Sequence, residues 1–294
     1  MCGFWKTNCR SDILNFIKLD FVKSLFDSIL YLFFPLKCLK CQKKISLTNG
    51  NLNGNLKNQT IPANDFCSDL FNRYYCDDCL CLDFEYFEPP FCKKCGKKFN
   101  YDKDEHILNC FCKDCLKPSD ISIGKVRAGA RYLGIIKKSI HFFKYQKKLM
   151  LKKPLGQILF KGFNQYFIVS ELDLIISVPL HISKLRQRGF NQSFLVAQIL
   201  MGMLRKANTD CNLRTAHNAL ERVKKTDPQI QFSAEQRKEN VKDAFKVVNK
   251  AQIQNKRILL IDDVYTTGAT SMEAGRALLK AGALSVDVLV IARV

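Results

Sequence analysis

The chain is 294 residues long, 47% hydrophobic and 25% charged, a balance that excludes a disordered or fibrous protein and leaves room for one large domain beside a small one. Its 47 basic residues against 27 acidic ones give a net charge of +20, which favours anionic partners: phosphorylated small molecules, nucleic acid or an anionic membrane surface. Met1 to Asp12 lacks a basic start followed by an apolar run, so no secretory leader is expected and the chain reads as cytoplasmic.

Ile13 to Phe34 is apolar but broken by Lys18, Asp20, Lys23 and Asp27, too charged for a transmembrane span. Residues 1–35 are expected to form an amphipathic helix that packs on the protein, with peripheral contact at the inner face of the membrane as the alternative.

Of the 14 cysteines, 11 fall between Cys38 and Cys115, and in a cytoplasmic protein such density argues for metal rather than disulfides. They form four C-x-x-C knuckles: Cys38 with Cys41, Cys76 with Cys79, Cys92 with Cys95, and Cys112 with Cys115. Each knuckle sets two thiolates on one side of a tight turn, and two knuckles complete a tetrahedral Zn²⁺ site. Sequential pairing predicts two structural zinc sites in a zinc-ribbon domain over 36–120. Cys67, Cys81 and Cys110 are left over, so a single zinc with a degenerate second set of knuckles stays open. Gly96 suits the turn after the third knuckle, and an asparagine- and glycine-rich insert over 46–64 reads as a flexible loop. The ribbon is expected to be structural, letting a short segment fold without a large core. Its lysines (Lys93, Lys94, Lys97 and Lys98) and aromatics (Phe91, Phe99, Tyr101 and Phe111) would serve contact with single-stranded nucleic acid if it binds any.

From Lys125 onward the cysteines thin out and strands alternate with helices over 125–294. Ala128–Leu133, Asp173–Val178, Ile258–Ile261 and Val286–Ile291 read as strands. Helices are expected at Gly134–Tyr145, Leu151–Phe167, Asn191–Lys206, Ser233–Glu239 and Ser271–Ala281. This rhythm predicts an α/β fold with a doubly wound, mostly parallel sheet. The span Thr209–Asp227 looks too charged for a core. After the second strand, Pro179, Leu180, Arg186 and Arg188 read as a loop whose guanidinium forks suit a pyrophosphate, with His181 as a structural residue. Arg222 to Phe245, carrying Lys224, Lys225, Gln229 and Arg237, suits a flap that closes over a charged ligand.

The most informative stretch is Ile258-Leu-Leu-Ile-Asp262-Asp263-Val-Tyr-Thr266-Thr267-Gly268-Ala269-Thr270. Asp262 and Asp263 end a buried strand, where open α/β sheets place ligands. Neighbouring strand residues face opposite ways, so one carboxylate should meet the ligand more directly. The small residues Thr266 to Thr270 let backbone N–H groups and a helix N-terminus approach a phosphate closely.

This stretch resembles the phosphoribosyl pyrophosphate (PRPP) motif of type I phosphoribosyltransferases. The resemblance implies that Asp262 and Asp263 hold the ribose hydroxyls and that Thr266–Thr270 hold the 5′-phosphate. Thr266 stands where 6-oxopurine salvage enzymes carry an aspartate base, which argues against that reaction. Together with VPLHISKLRQRGFNQS, RVKKTDPQIQFSAEQRKENVKDAF and the upstream knuckles, the chain resembles the ComF/GntX family over roughly 34–294. The family implies PRPP arriving with Mg²⁺, the pyrophosphate held by Arg186 and Arg188, and a role with other competence proteins in handling incoming single-stranded DNA in the cytoplasm. The alternative is an active transferase with a nucleobase-like acceptor and no part in DNA uptake. No catalytic base can be named from the sequence.

Overall fold

A computed structural model describes residues 36–45, 71–99, 110–116, 123–207, 212–225 and 234–294. The expected helix over 1–35, the insert over 46–64, Tyr101 and Gln229 lie outside these, as does the side chain of Arg237.

Two short helices, α1 (Asp77–Asp83) and α2 (Lys113–Leu116), belong to the cysteine-rich part. The larger part runs β1 (Val126–Arg131), α3 (Gly134–Tyr145), α4 (Lys152–Tyr166), β2 (Leu174–Ser177), α5 (Ile182–Arg188), α6 (Gln192–Ala207), β3 (Arg214–Thr215), β4 (Leu220–Arg222), α7 (Ala234–Val241), β5 (Phe245–Val247), α8 (Lys250–Ile253), β6 (Arg257–Tyr265), α9 (Ala269–Lys280) and β7 (Ser285–Arg293). Five strands form one sheet in the order β1-β7-β6-β2-β3, every neighbour parallel. Helices cover both faces, which makes this a doubly wound α/β architecture.

The period of two along each strand sorts side chains between two cores. Leu259, Ile261, Leu289 and Ile291 pack with residues of α3, α4 and α6. Ile258, Leu260, Val286, Val288 and Val290 pack on the other face with Ala274 and Leu278 of α9 and with Val241 and Phe245. These strand residues are all but completely buried, each worth about 1.5–3 kcal/mol of transfer free energy.

Two expectations change. The polar span Thr209–Asp227 is not excluded from the core: β3 joins the edge of the main sheet, and β4 pairs antiparallel with β5. Leu213, Ala219 and Leu220 are buried there. Strands of two or three residues hold no period to read, so charged neighbours hide them. Arg186 and Arg188 do not lie in a loop but in the last turn of α5, which His181 caps by accepting from the Ser183 N–H at 3.3 Å and which ends at Gly189 in the left-handed region (φ 87°).

The cysteine-rich part docks along β1. Phe87 N–H donates to the Gly129 carbonyl, Arg131 N–H to Glu85, and Val126 N–H to Lys94. These bonds close the open edge of the sheet, which would otherwise offer unpaired backbone groups to other chains. On α3, the buried Tyr75 hydroxyl bonds the Ser139 hydroxyl at 2.7 Å, fixing the first knuckle pair to that helix.

Candidate functional site

The carboxyl ends of β2 and β6 open into a cavity of about 760 Å³. Asp262, Asp263, Thr266 and Thr270 line it from β6 and the loop after it, Pro179, Leu180 and Arg188 from β2 and α5, and Lys144 and Tyr145 from α3. Arg186, Lys224 and Lys225 are not among the lining residues, while Arg222 at the base of the flap is. Five cations (Lys144, Lys147, Lys184, Arg188 and Arg222) thus surround two carboxylates, leaving the cavity strongly positive.

The two carboxylates are buried and differently bound. Asp263 pairs with Lys144 Nζ at 2.7 Å and accepts from Gln192 Nε2 at 2.6 Å. Asp262 accepts from the Ser193 hydroxyl at 3.1 Å, the Ser271 hydroxyl at 3.4 Å and the Asp263 N–H at 2.8 Å. One carboxylate is therefore tied to α3 and α6, and the other to the first turns of α6 and α9, and both line the cavity. Burial and then the neighbouring Asp263 charge push the Asp262 carboxyl up to about 7. Burial works against the Lys144 ammonium, but Asp263 outweighs it and raises its pKa.

Gln192, Ser193 and Lys144 escaped the sequence reading because their distance from the motif is closed only by the fold. The weak signal was the run Gly189-Phe-Asn191-Gln192-Ser193. Asn191 caps α6, its side-chain oxygen accepting from the Ser193 N–H at 3.0 Å, and so aims both Gln192 and Ser193 at the acidic pair.

The loop 266–270 turns through Gly268, whose φ of 80° suits glycine and where an added Cβ would lie 2.1 Å from the Tyr265 hydroxyl. Helix α9 begins at Ala269, leaving its first-turn N–H groups directed at the loop. The Thr267 hydroxyl is buried without a hydrogen-bond partner among the described residues, and Thr267, Gly268 and Ala269 are not among the residues that line the cavity.

The cysteines gather as two groups of four, Cys38, Cys41, Cys76 and Cys79, and Cys92, Cys95, Cys112 and Cys115, with all ligand atoms of each group within 4.8 Å of one another. The Cys41–Cys76 sulfurs lie 3.5 Å apart and the Cys95–Cys112 sulfurs 3.6 Å apart. Tetrahedral zinc with bonds of about 2.3 Å requires edges of about 3.8 Å, so both sets fit Zn²⁺. Burial raises the Cys38 thiol, but N–H groups of Cys41, Cys76 and Lys40 outweigh it and bring it down to about 6, while burial pushes the Cys76 and Cys79 thiols up, so without a metal one thiol of the set ionises ahead of these two. Zinc held there would supply structure, since all four positions are filled by protein.

Phe91 and Phe99 are not stacking residues for nucleic acid. Phe91 packs against Phe87 at 5.6 Å and Tyr166 at 5.8 Å, and Phe99 is buried among the cysteines of the second cluster.

Among the described residues no helix is long and apolar enough to cross a membrane. No family model matches the chain. It is 26% identical over 226 residues to Competence protein ComFC of Streptococcus pneumoniae, covering 74% of this chain and 89% of that one. It is 32% identical over 157 residues to DNA utilization protein YhgH of Escherichia coli (strain K12), covering 52% and 65%. The likeness to Competence protein F of Haemophilus influenzae is 31% over 208 residues, 69% of this chain and 85% of that protein. With such identity across most of a curated relative, the chain belongs to the ComF family.

Proposed function

We propose that this protein binds PRPP in the cavity and acts in natural competence, handling incoming single-stranded DNA in the cytoplasm. The carrying observation is the meeting in one cavity of a carboxylate pair at a strand end, a small-residue loop opening a helix, and five cations from three other parts of the chain. Carboxylates suit ribose hydroxyls, the loop and the α9 N-terminus suit a 5′-phosphate, and Arg188, Lys144 and Arg222 suit a pyrophosphate. Mg²⁺ would accompany the pyrophosphate, with its oxygens and a carboxylate as ligands. The names of the relatives, two competence proteins and a DNA utilization protein, support the cellular role.

The decisive measurement is calorimetry with Mg²⁺–PRPP on the wild type and on Asp262→Asn/Asp263→Asn. Binding by the wild type and loss of at least about a hundredfold in the variant is expected, in line with two charged hydrogen-bond acceptors removed. A flat wild-type titration overturns the reading. Gel shifts with single-stranded DNA over a salt series test the second half, since phosphate contacts impose a steep salt dependence.

A second reading is catalysis: Asp262 lines the cavity beside Asp263, burial and that neighbour push its carboxyl up, and it would then serve as base toward an acceptor such as a nucleobase instead of holding a ribose hydroxyl. Pyrophosphate released from PRPP only when nucleobases are present would establish the transferase.

A further inference from the structure

At the mouth of the cavity three planar groups from two helices lie against one another. Tyr145, in the last turn of α3, has its ring centroid 4.9 Å from that of His141 one turn earlier. The Arg188 guanidinium, from the last turn of α5, lies 5.5 Å from the same ring. Tyr145 is 60% exposed, whereas Phe143 two residues before it is fully buried and Tyr265 beside the loop is 4% exposed. A single exposed tyrosine is ordinary. This one lines a charged cavity and lies against an imidazole and a guanidinium, and all three are flat side chains of the kinds that stack on bases.

The shelf is also held in place. Arg188 Nη1 donates to the Gln192 side-chain oxygen, and Gln192 Nε2 donates to Asp263. Asp263 in turn pairs with Lys144, the residue before Tyr145. Arg188 and Tyr145 are thus positioned through the same carboxylate that faces the cavity. Lys147 and Lys184 line the same cavity and add positive charge for a phosphate attached to a stacked base.

We propose that Tyr145, backed by His141 and Arg188, is a stacking shelf for a heteroaromatic base at the cavity mouth. The proposal rests on the reading of the cavity as a sugar-phosphate site, because it places the base within reach of a ligand bound there. Two sources offer this chemistry, a free nucleotide or nucleobase that enters the cavity and a base of a single strand that crosses its mouth. Stacking uses the π-face that every base presents, so the shelf is indifferent to sequence.

The test uses 2-aminopurine, whose fluorescence falls when it stacks. Full-length protein is titrated into 2-aminopurine riboside monophosphate and, separately, into single-stranded oligothymidylate carrying one 2-aminopurine. Quenching of either probe by the wild type is expected, and the probe that responds identifies the source. Tyr145→Ala should weaken the responding titration about tenfold or more, and Tyr145→Phe should stay within about threefold of the wild type, because only the ring is needed. Unchanged quenching in Tyr145→Ala, equal losses in Phe and Ala, or no quenching of either probe by the wild type overturns the shelf. Calorimetry of the wild type with Mg²⁺–PRPP separates the two claims. A flat titration with quenching intact removes the PRPP reading and leaves the shelf, and binding without Tyr145-dependent quenching does the reverse.

Discussion

The cysteine-rich part and the parallel sheet reach a folded state by different means. In the sheet domain, two apolar cores on opposite faces bury long runs of Ile, Leu and Val, and polar chemistry is confined to the strand ends. Among the described residues, the buried core around the second cysteine cluster consists of Cys92, Phe99 and Cys112, whereas Cys38 and Cys79 of the first cluster pack into the large core. So small a core offsets little of the entropy of ordering such a segment, and a metal held by Cys92, Cys95, Cys112 and Cys115 would supply what apolar burial does not. The same difference governs charge. The cysteine part gathers thiols that could hold a cation, whereas the cavity gathers cations around two carboxylates.

The two parts meet on α3. Ser139 on one side of this helix bonds Tyr75 of the cysteine part, and Lys144 on another side reaches Asp263 in the cavity. The comparison is therefore sharpest when each part is perturbed separately.

The largest effect is expected from metal removal. Purified protein should carry two Zn²⁺ per chain by elemental analysis, and Cys92→Ser/Cys112→Ser should carry one. Chelation should remove on the order of 10 kcal/mol of binding free energy per site, as in small zinc modules. Amide exchange should then accelerate over 85–98 while β6 and β7 stay protected. Simultaneous loss of protection everywhere would show that the two parts are one cooperative unit. Second is Lys144→Met, which leaves the buried Asp263 carboxylate without its cation and should cost about 3–5 kcal/mol in urea unfolding. Lys144→Met/Asp263→Asn should recover most of that loss, and failure to recover it would place the cost in packing instead. Third is Tyr75→Phe, which removes the hydroxyl bonded to Ser139 and should cost about 1 kcal/mol. The cost should vanish in chelated protein, where the interface is already lost.

The smallest effects lie in pH dependence. The Asp262 carboxyl is raised to about 7 in the folded chain, so its stabilising contribution is complete below about 4 and is lost as pH rises through 7. Asp173 is opposite. Hydrogen bonds from the Arg257 side chain and backbone hold it down to about 2, so its contribution is present above about 4 and is lost as pH falls toward 2. Urea midpoints from pH 3 to 8 should show Asp262→Asn flattening the neutral slope and Asp173→Asn flattening the acid one. An unchanged neutral slope in Asp262→Asn would remove the argument that this group exchanges protons in the working range.

Much of the architecture was legible because its signals are local. Helix α3 matches its expected bounds of Gly134–Tyr145, and β6 carries an apolar run too plain to misread. The four knuckles are legible as ligand pairs from their C-x-x-C spacing, while their grouping into two sets of four comes from the fold. What escaped is short or distant. Strands β3 and β4 have two and three residues, below any detectable period, and the arginine loop proved to be a helix because a cap at His181 and a glycine at 189 suffice to close two turns.

By itself the sequence determined the α/β rhythm, the four C-x-x-C knuckles and the strand-acid-loop-helix order of residues 258–270, because each depends on neighbours within a few positions. Only the tertiary structure decided that Lys144, Arg188, Gln192, Ser193 and Arg222 converge on Asp262 and Asp263, and that Tyr145 stands at the entrance. Parallel sheets bring together the ends of strands far apart in the chain, so the chemistry at those ends comes from segments whose spacing carries no trace of their meeting.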